Sequence, residues 1–297
     1  MPQPDPEIHT LSLYLINEIL LAAGLPKSAF TQRLLGSFLG GVTTRLASLC
    51  IQTDRRVVTD GFPAAEAWLA SHWVRQTDVR GAGNLPPSGP LLVVSNHIGA
   101  YDVAVIPSII NRKDIKVIAS ASPFFMKLPN VSLHMLYAAD TPQSRLAAVR
   151  GGIQHLQSGG ALLLFGTGLV DPDPEIYPGA AEAIGDWSAS IDLFLRQAPD
   201  TQVVVSILSG IVKRKWAHSA LTRLVRQSWQ KRRLAEYGQV IEQLLFPGPP
   251  DISPSMSIAA PVSLAVLRQE SGSDKVHAAV VARGKALLKE HLERIGG

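Results

Sequence analysis

One histidine and one aspartate stand five residues apart in a setting that suits acid–base chemistry. His97 and Asp102 follow the apolar run 90–95, which predicts a short buried strand. A carboxylate that accepts one ring N–H of a histidine fixes its tautomer and makes the other ring nitrogen a better general base. Residues five apart on one helix diverge by about 140°, so the loop 98–100 must bend to join them. Without that bend, the two residues would be a core histidine and a helix-capping aspartate.

The elements around this pair predict an α/β sheet from residue 77 onward. Apolar runs bounded by Gly and Pro predict strands near residue 79 and over 90–95, 116–119, 161–165, 201–208 and 256–267. Helical periodicity predicts helices over 144–157, 181–196 and 273–294. Ligands bind in the crevice at the carboxyl ends of strands in such sheets. His97 is therefore expected at a ligand-binding edge of the sheet.

Residues 1–76 predict a helical cap that precedes an α/β domain over residues 77–297. Apolar residues recur at helical spacing over 8–22, 30–49 and 63–74. We expect these stripes to be core contacts; the alternative is shallow membrane contact by one apolar face. No run of about 18 uninterrupted apolar residues occurs, so no membrane-spanning helix is predicted. Residues 1–6 lack the basic and apolar pattern of a leader, which favours an intracellular, unprocessed chain.

Composition excludes several classes of protein. The 297 residues include one cysteine, Cys50, so no intrachain disulfide can form. A hydrophobic content of 46% is far above that of disordered chains. The eight histidines and Cys50 show no metal-ligand spacing, and no metal site is expected.

Residues 78–102 have the sequence Asp-Val-Arg-Gly-Ala-Gly-Asn-Leu-Pro-Pro-Ser-Gly-Pro-Leu-Leu-Val-Val-Ser-Asn-His-Ile-Gly-Ala-Tyr-Asp. This segment resembles the first motif of the phospholipid and glycerol acyltransferase family. The resemblance extends, at lower similarity, to Pro261. It implies a mixed sheet flanked by helices with an N-terminal helical cap, the fold of the glycerol-3-phosphate acyltransferases. It also implies that His97 deprotonates an acceptor hydroxyl, which attacks an acyl thioester directly, while Asp102 orients His97.

Two further motifs of that family are altered here. The family motif Phe-Pro-Glu-Gly-Thr-Arg corresponds to Phe165, Gly166, Thr167 and Gly168, which bring neither Glu nor Arg. Thr141 stands where the resemblance implies another Arg. Because those family residues grip the acceptor phosphate, a lysophosphatidate acceptor is not favoured. Residues 165–168 stay candidates for substrate binding, since a glycine-rich turn can present backbone N–H groups to an anion; the alternative is a plain strand-to-loop turn.

Other residues are candidates to contact the substrates. Lys127 and Arg214 could replace the missing cations, and residues 124–126 could line an acyl-chain groove or pack in the core. Residues 213–233 hold eight basic side chains and no acid. We call this stretch the basic segment. Its candidates for contact with a membrane or with the acyl donor are Arg214, Trp216, Arg223, Arg226 and Trp229; the alternative is a solvated face.

The sequence therefore predicts an O-acyltransferase without a covalent enzyme intermediate. The donor is expected to be acyl-CoA or acyl carrier protein, the acceptor a hydroxyl of a lysophospholipid or related glycerolipid, and no cofactor is expected. One alternative is acylation of a lipid or glycolipid without phosphate, and another is a non-catalytic lipid or acyl-thioester binding protein. We expect a peripheral protein on the cytoplasmic face of a membrane. The charge is too localised to favour nucleic-acid binding, and the oligomeric state is not predicted.

Overall fold

The computed structural model describes residues 6–296, in which helices surround one sheet. The helices are α1 Pro6–Ala22, α2 Ala29–Asp60, α3 Phe62–Ala70, α4 Asp102–Ile110, α5 Pro129–Ser132, α6 Pro142–Gln157, α7 Ala180–Gly185, α8 Ser190–Gln197, α9 Arg214–Ala217, α10 Ala220–Arg223, α11 Ser228–Leu245, α12 Leu264–Ser271 and α13 His277–Gly296. Two 3₁₀ turns cover Ala82–Asn84 and Phe125–Lys127. Residues 1–5, on which the expectation of an unprocessed N-terminus depends, lie outside the described residues.

Seven strands form the sheet. They are β1 Asp78–Arg80, β2 Leu91–Ser95, β3 Lys116–Ser120, β4 Met135–Ala138, β5 Ala161–Phe165, β6 Gln202–Ser209 and β7 Ser255–Ile258. Their order is β1-β7-β6-β2-β5-β3-β4. The five strands from β6 to β4 are mutually parallel, and β7 runs antiparallel to β6. The strand β2 therefore lies in the interior, with its carboxyl end between those of β5 and β6.

Helices cover both faces of this sheet. The strand β2 is buried on both sides, which is typical of parallel strands between two helical layers. Leu91 and Val93 join a core with α2 to α5, α9 and α11. Leu92 and Val94 join a second core with α6, α7, α8, α12 and α13. The predicted fold class, a mixed sheet flanked by helices behind N-terminal helices, is confirmed.

The N-terminal helices α1 to α3 precede the first strand and pack on the first of these cores through Leu11, Ala47 and Phe62. The division into a cap over 1–76 and a domain over 77–297 stays a prediction.

Two predicted elements differ from the structure. The predicted strand over 256–267 is shorter in the structure, where β7 ends at Ile258. Beyond Pro261, which offers no N–H to a ladder, Val262 forms an isolated bridge to Val203 of β6, and α12 then begins at Leu264. The helix over 181–196 is interrupted between α7 and α8, where Trp187 turns into the core beside Ile184 and Ile191.

The stripe over 30–49 is not a uniform core contact. Val42, Ala47 and Ile51 are buried, whereas Phe30, at 73% exposure, and Phe38, at 76%, face outward. An 18-residue window of α2 has a mean hydropathy of 1.4, and 28% of it is buried. By length and composition this helix could cross a membrane, which the search for uninterrupted apolar runs did not predict. Core helices of soluble proteins can have the same length and composition.

Candidate active site

His97 and Asp102 meet at the carboxyl end of β2. His97 follows Ser95 and Asn96, and Asp102 is the first residue of α4. The Nδ1 atom of His97 lies 3.0 Å from Oδ2 and 3.1 Å from Oδ1 of Asp102. A carboxylate only accepts hydrogen bonds, so Nδ1–H donates and Nε2 carries the free lone pair. The pair has the arrangement of a general base and its orienting acid.

The loop between them bends because its backbone N–H groups turn toward buried carboxylates. Oδ2 of Asp102 accepts the N–H of Ile98 at 2.5 Å and that of Gly99 at 3.1 Å. The next N–H, that of Ala100, donates to Oε1 of Glu236 on α11. Asp102 is fully buried, and these donors offset the loss of its hydration.

The segment after β5 holds His97 from the other side. Oδ2 of Asp171 accepts the N–H of His97 at 3.0 Å, and the N–H of Asp171 donates to the carbonyl of His97 at 2.5 Å. Oδ1 of Asp171 accepts the hydroxyl of Thr167 at 2.7 Å. Thr167 therefore lies at the same edge of the sheet as His97 and is linked to its backbone through Asp171.

Charges around His97 favour its protonated form. Burial disfavours the imidazolium, but the Asp102 carboxylate, through its charge and its hydrogen bond, raises the pKa of His97 above the usual value. Burial raises the pKa of Asp171, against the N–H of His97, which lowers it. Burial also raises the pKa of Glu236, and the nearby Arg233 opposes that change. A proton accepted at Nε2 would be stabilised in this setting.

The glycine-rich turn is packed rather than open. The N–H of Gly166 donates to the carbonyl of Ser95, and the N–H of Gly168 donates to that of Phe165. A Cβ at Gly166 would lie 2.2 Å from Cδ1 of Trp187. The two glycine N–H groups are thus occupied, which corrects the expectation that they are free for an anion. Gly166 is needed here for close packing.

Phe165 packs beneath the histidine. Its ring centroid lies 4.4 Å from that of His97, and its side chain is buried. Phe165 thus contacts the candidate base, and its contact with substrate stays a prediction.

The two cation candidates lie on segments that follow β3 and β6, on the carboxyl side of the sheet. Lys127 is exposed in the 3₁₀ turn after β3, and no hydrogen bond or ion pair joins it to His97 within residues 6–296. Nearby, Phe124 and Phe125 pack edge to face at 5.5 Å against the core, and Met126 is exposed. Arg214 is exposed, and its Nη2 donates to the carbonyl of Glu175.

The side chains of the basic segment differ in their exposure to solvent. Arg223, Arg226 and Trp229 are exposed. Trp216 differs from the exposed anchor that was expected: it is half-buried against Gly238, and its Nε1–H donates to Glu242. Trp216 packs inward because α9 lies against α11.

Two arginines of that segment lie near the carboxyl edge of the sheet that carries His97. Nη2 of Arg232 donates to the carbonyl of Val170, next to Asp171, at 2.8 Å. Arg233 is half-buried and interacts by charge with Glu236 and Glu18. Both arise from the start of α11. They bring positive charge to an edge where the strand-end motifs hold no Arg.

Sequence reasoning missed Asp171, Glu236, Arg232 and Arg233 as site residues. Asp171 has a local signal, since it follows the turn after β5. Glu236 has only the weak signal of being the first acid after the basic segment. Within the described chain, no group of three His, Cys, Asp or Glu side chains is arranged to hold a metal ion.

Comparisons with known proteins find structural likeness alone. No protein-family model matches the chain, and no curated protein matches it significantly. A crystal structure of the 1-acyl-sn-glycerophosphate (LPA) acyltransferase PlsC from Thermotoga maritima is similar over 95% of this chain and 94% of that one. The identity is 15% and the TM-score 0.44. A likeness at this level says nothing of substrate or catalytic residues, so function has to be argued from the site.

Proposed function

We propose that the protein is an O-acyltransferase that moves an acyl group from a thioester to a lipid hydroxyl. The observation that carries this proposal is the contact of His97 Nδ1 with buried Asp102 at the carboxyl edge of the sheet. The side chain of His97 is 19% exposed, which leaves part of it open to a substrate. A histidine held this way removes a proton from a bound nucleophile.

The nucleophile in this proposal belongs to the acceptor. No serine, threonine or cysteine side chain is hydrogen-bonded to His97 in the described part of the chain, whereas a covalent mechanism needs one within reach of its base. Nε2 takes the proton of the acceptor hydroxyl as its oxygen attacks the thioester carbonyl. The thiolate then leaves and receives that proton from the imidazolium. No covalent enzyme intermediate is required.

We further propose that the acceptor is a lysophospholipid or related glycerolipid and that the donor is acyl-CoA or acyl carrier protein. The loops after β4 and β5 lack the arginines that suit a phosphate monoester. Lysophosphatidate is therefore expected to be a poorer acceptor than a neutral or larger-headgroup lysolipid. A preference for lysophosphatidate would contradict this and would require another cation, such as Lys127, Arg214 or Arg232, to hold the phosphate.

Peripheral binding to the cytoplasmic face of a membrane is part of the proposal. Large apolar side chains are exposed on α1, on α2 and near the start of α11: Leu21, Leu25, Phe30, Leu34, Phe38, Leu221, Leu224 and Trp229. Ala22, Val225 and Leu234 pack together, which places the α1–α2 turn beside the basic segment. Exposed apolar groups beside cations suit an anionic lipid surface.

The membrane proposal is tested by co-sedimentation with anionic and neutral vesicles at rising salt. Replacing Arg223, Arg226 and Lys231 by Glu should release the protein from anionic vesicles yet spare turnover of a soluble short-chain thioester. Loss of that turnover with unchanged vesicle binding would assign the basic segment to the acyl donor. Resistance of binding to high salt and alkaline extraction would instead indicate a spanning α2.

The test of the activity is thioester turnover with and without a panel of acceptors. The panel contains lysophosphatidate, lysophosphatidylcholine, monoacylglycerol and a glycolipid. Thiol release that requires an acceptor and yields acylated lipid supports the proposal. Thiol release without any acceptor would indicate a hydrolase, and binding without turnover would indicate a non-catalytic lipid or acyl-thioester binding protein.

A further inference from the structure

The loop that joins His97 to Asp102 is held by three carboxylates from separate parts of the chain. Four consecutive N–H groups, those of residues 97–100, each donate to a carboxylate oxygen. Asp171 accepts the first, Asp102 accepts the second and third, and Glu236 accepts the fourth. Asp102 belongs to the candidate dyad and Asp171 follows β5, whereas Glu236 comes from α11, more than 130 residues along the chain.

Glu236 is placed to act on this loop. Its side chain is 2% exposed, so its carboxyl group needs partners within the protein. A Cβ at Gly99 would lie 2.9 Å from Oε1 of Glu236, so the carboxyl group sits against the loop where only glycine leaves room. Arg233, one turn earlier on α11, supplies the opposite charge.

We infer that Glu236 is a positioning residue for the His97–Asp102 pair. It fixes the end of the loop next to Asp102 by accepting the Ala100 N–H, with Arg233 as its counter-charge. The inference rests on the proposed function only where it calls the positioned pair catalytic.

The physical consequence of losing Glu236 follows from the loop geometry. The Ala100 N–H would lose its carboxylate acceptor on α11, so the end of the loop next to Asp102 would no longer be tied to that helix. The charged groups that face His97 are Asp102 from α4, Asp171 from the loop after β5, and Arg233 and Glu236 from α11. Since Asp102 is the main group that raises the pKa of His97, a looser contact lowers that pKa toward its ordinary value. Removal of the Glu236 charge acts in the same direction.

The experiment compares Glu236→Ala and Glu236→Gln with wild type. Alanine should lower kcat by about 10- to 100-fold, the range for partners that orient a functional group, with KM nearly unchanged. It should also lower the His97 pKa measured by NMR titration of labelled imidazole in the free protein. Glutamine should recover most of kcat, because its amide oxygen can still accept the Ala100 N–H.

The matched control is Glu66→Ala, which removes another buried carboxyl group, 5% exposed, on α3. It should lower the melting temperature without moving the His97 pKa. If Glu236→Ala does not fold, Gly99→Ala makes the same test, since its methyl group must displace the Glu236 carboxyl group.

The inference is overturned if Glu236→Ala, or Gly99→Ala in its place, keeps the wild-type His97 pKa and kcat. It is also overturned if Glu66→Ala changes both as strongly. The NMR titration needs no activity, and it separates positioning from charge because Glu236→Gln loses the same charge as Glu236→Ala but keeps an acceptor oxygen. A lower His97 pKa in Glu236→Ala than in Glu236→Gln would uphold the positioning role, and equal values in the two variants would overturn it. If that difference is found in a protein that transfers no acyl group, the positioning role stands and the proposed function is refuted.

Discussion

Asp102→Asn tests how the orienting acid works. In the structure Oδ2 of Asp102 accepts the N–H groups of Ile98 and Gly99 and lies 3.0 Å from Nδ1 of His97, while Oδ1 lies 3.1 Å from the same nitrogen. An asparagine can keep both backbone bonds by placing its oxygen at the Oδ2 position. Its NH₂ group then points at Nδ1 and favours the tautomer with the proton on Nε2. The loop should keep its conformation in Asp102→Asn, whereas His97 should lose its function as a general base.

The expected loss of kcat is about 10²- to 10⁴-fold, or about 3–5 kcal/mol of transition-state stabilisation. The same exchange in a Ser-His-Asp triad lowers kcat by about 10⁴. The assay is release of coenzyme A thiol from acyl-CoA in the presence of an acceptor lipid. Asp140→Asn, at an exposed aspartate, is the matched control and should leave kcat unchanged.

The pH profile gives a second readout of the same variant. His97 must be neutral to accept a proton, so the rate rises with pH through the His97 pKa. Because Asp102 raises that pKa, the acid limb should lie above the ordinary histidine value of about 6.5 in wild type and move down in Asp102→Asn. Turnover within threefold of wild type and an unmoved acid limb would refute the reasoning.

Three further predictions concern stability and membrane contact. Gly166→Ala should lower stability by about 1–3 kcal/mol in a denaturant melt, because its methyl group meets Trp187, whereas Gly83→Ala, with open space around it, should not; equal melts would contradict this packing. Phe30→Ser with Phe38→Ser should weaken vesicle binding without lowering the melting temperature, and unchanged binding would remove α2 from the membrane surface. Burial lowers the pKa of His291 to about 4, so below about pH 6.5 the unfolded chain binds more protons than the folded protein. The free energy of unfolding should therefore fall by up to about 3 kcal/mol between pH 6.5 and pH 4. Denaturant melts at acid pH should show a smaller fall for His291→Gln.

Much of the sheet could be predicted from local sequence. The strand β5 occupies the predicted residues 161–165, because an apolar run of this length bounded by glycines is typical of a buried strand and too short for a helix. The spacing of His97 and Asp102 predicts that the loop between them bends, but it does not predict what causes the bend. Two of the three carboxylates that hold the bend come from residues 171 and 236, and only tertiary structure brings them to residue 97.

The surface of the N-terminal helices shows a second limit. The spacing of Phe30, Leu34 and Phe38 predicts one apolar face on a helix, and the structure has that face. Periodicity does not say what covers a face, and here α1 covers only part of α2. The helix α11 is not predicted from the sequence: its first turn is basic, and its buried Leu234 and Ala235 follow only after these charges.

The most direct measurement of the central claim is acyl transfer by wild type and His97→Ala. Acylated lipid is detected by mass spectrometry after incubation with acyl-CoA and the preferred lysolipid, and the melting temperatures of both proteins are compared. The account predicts acylated product from wild type and a fall of about 10²- to 10⁴-fold in His97→Ala, with the fold retained. Wild-type turnover by His97→Ala at saturating substrates would contradict it.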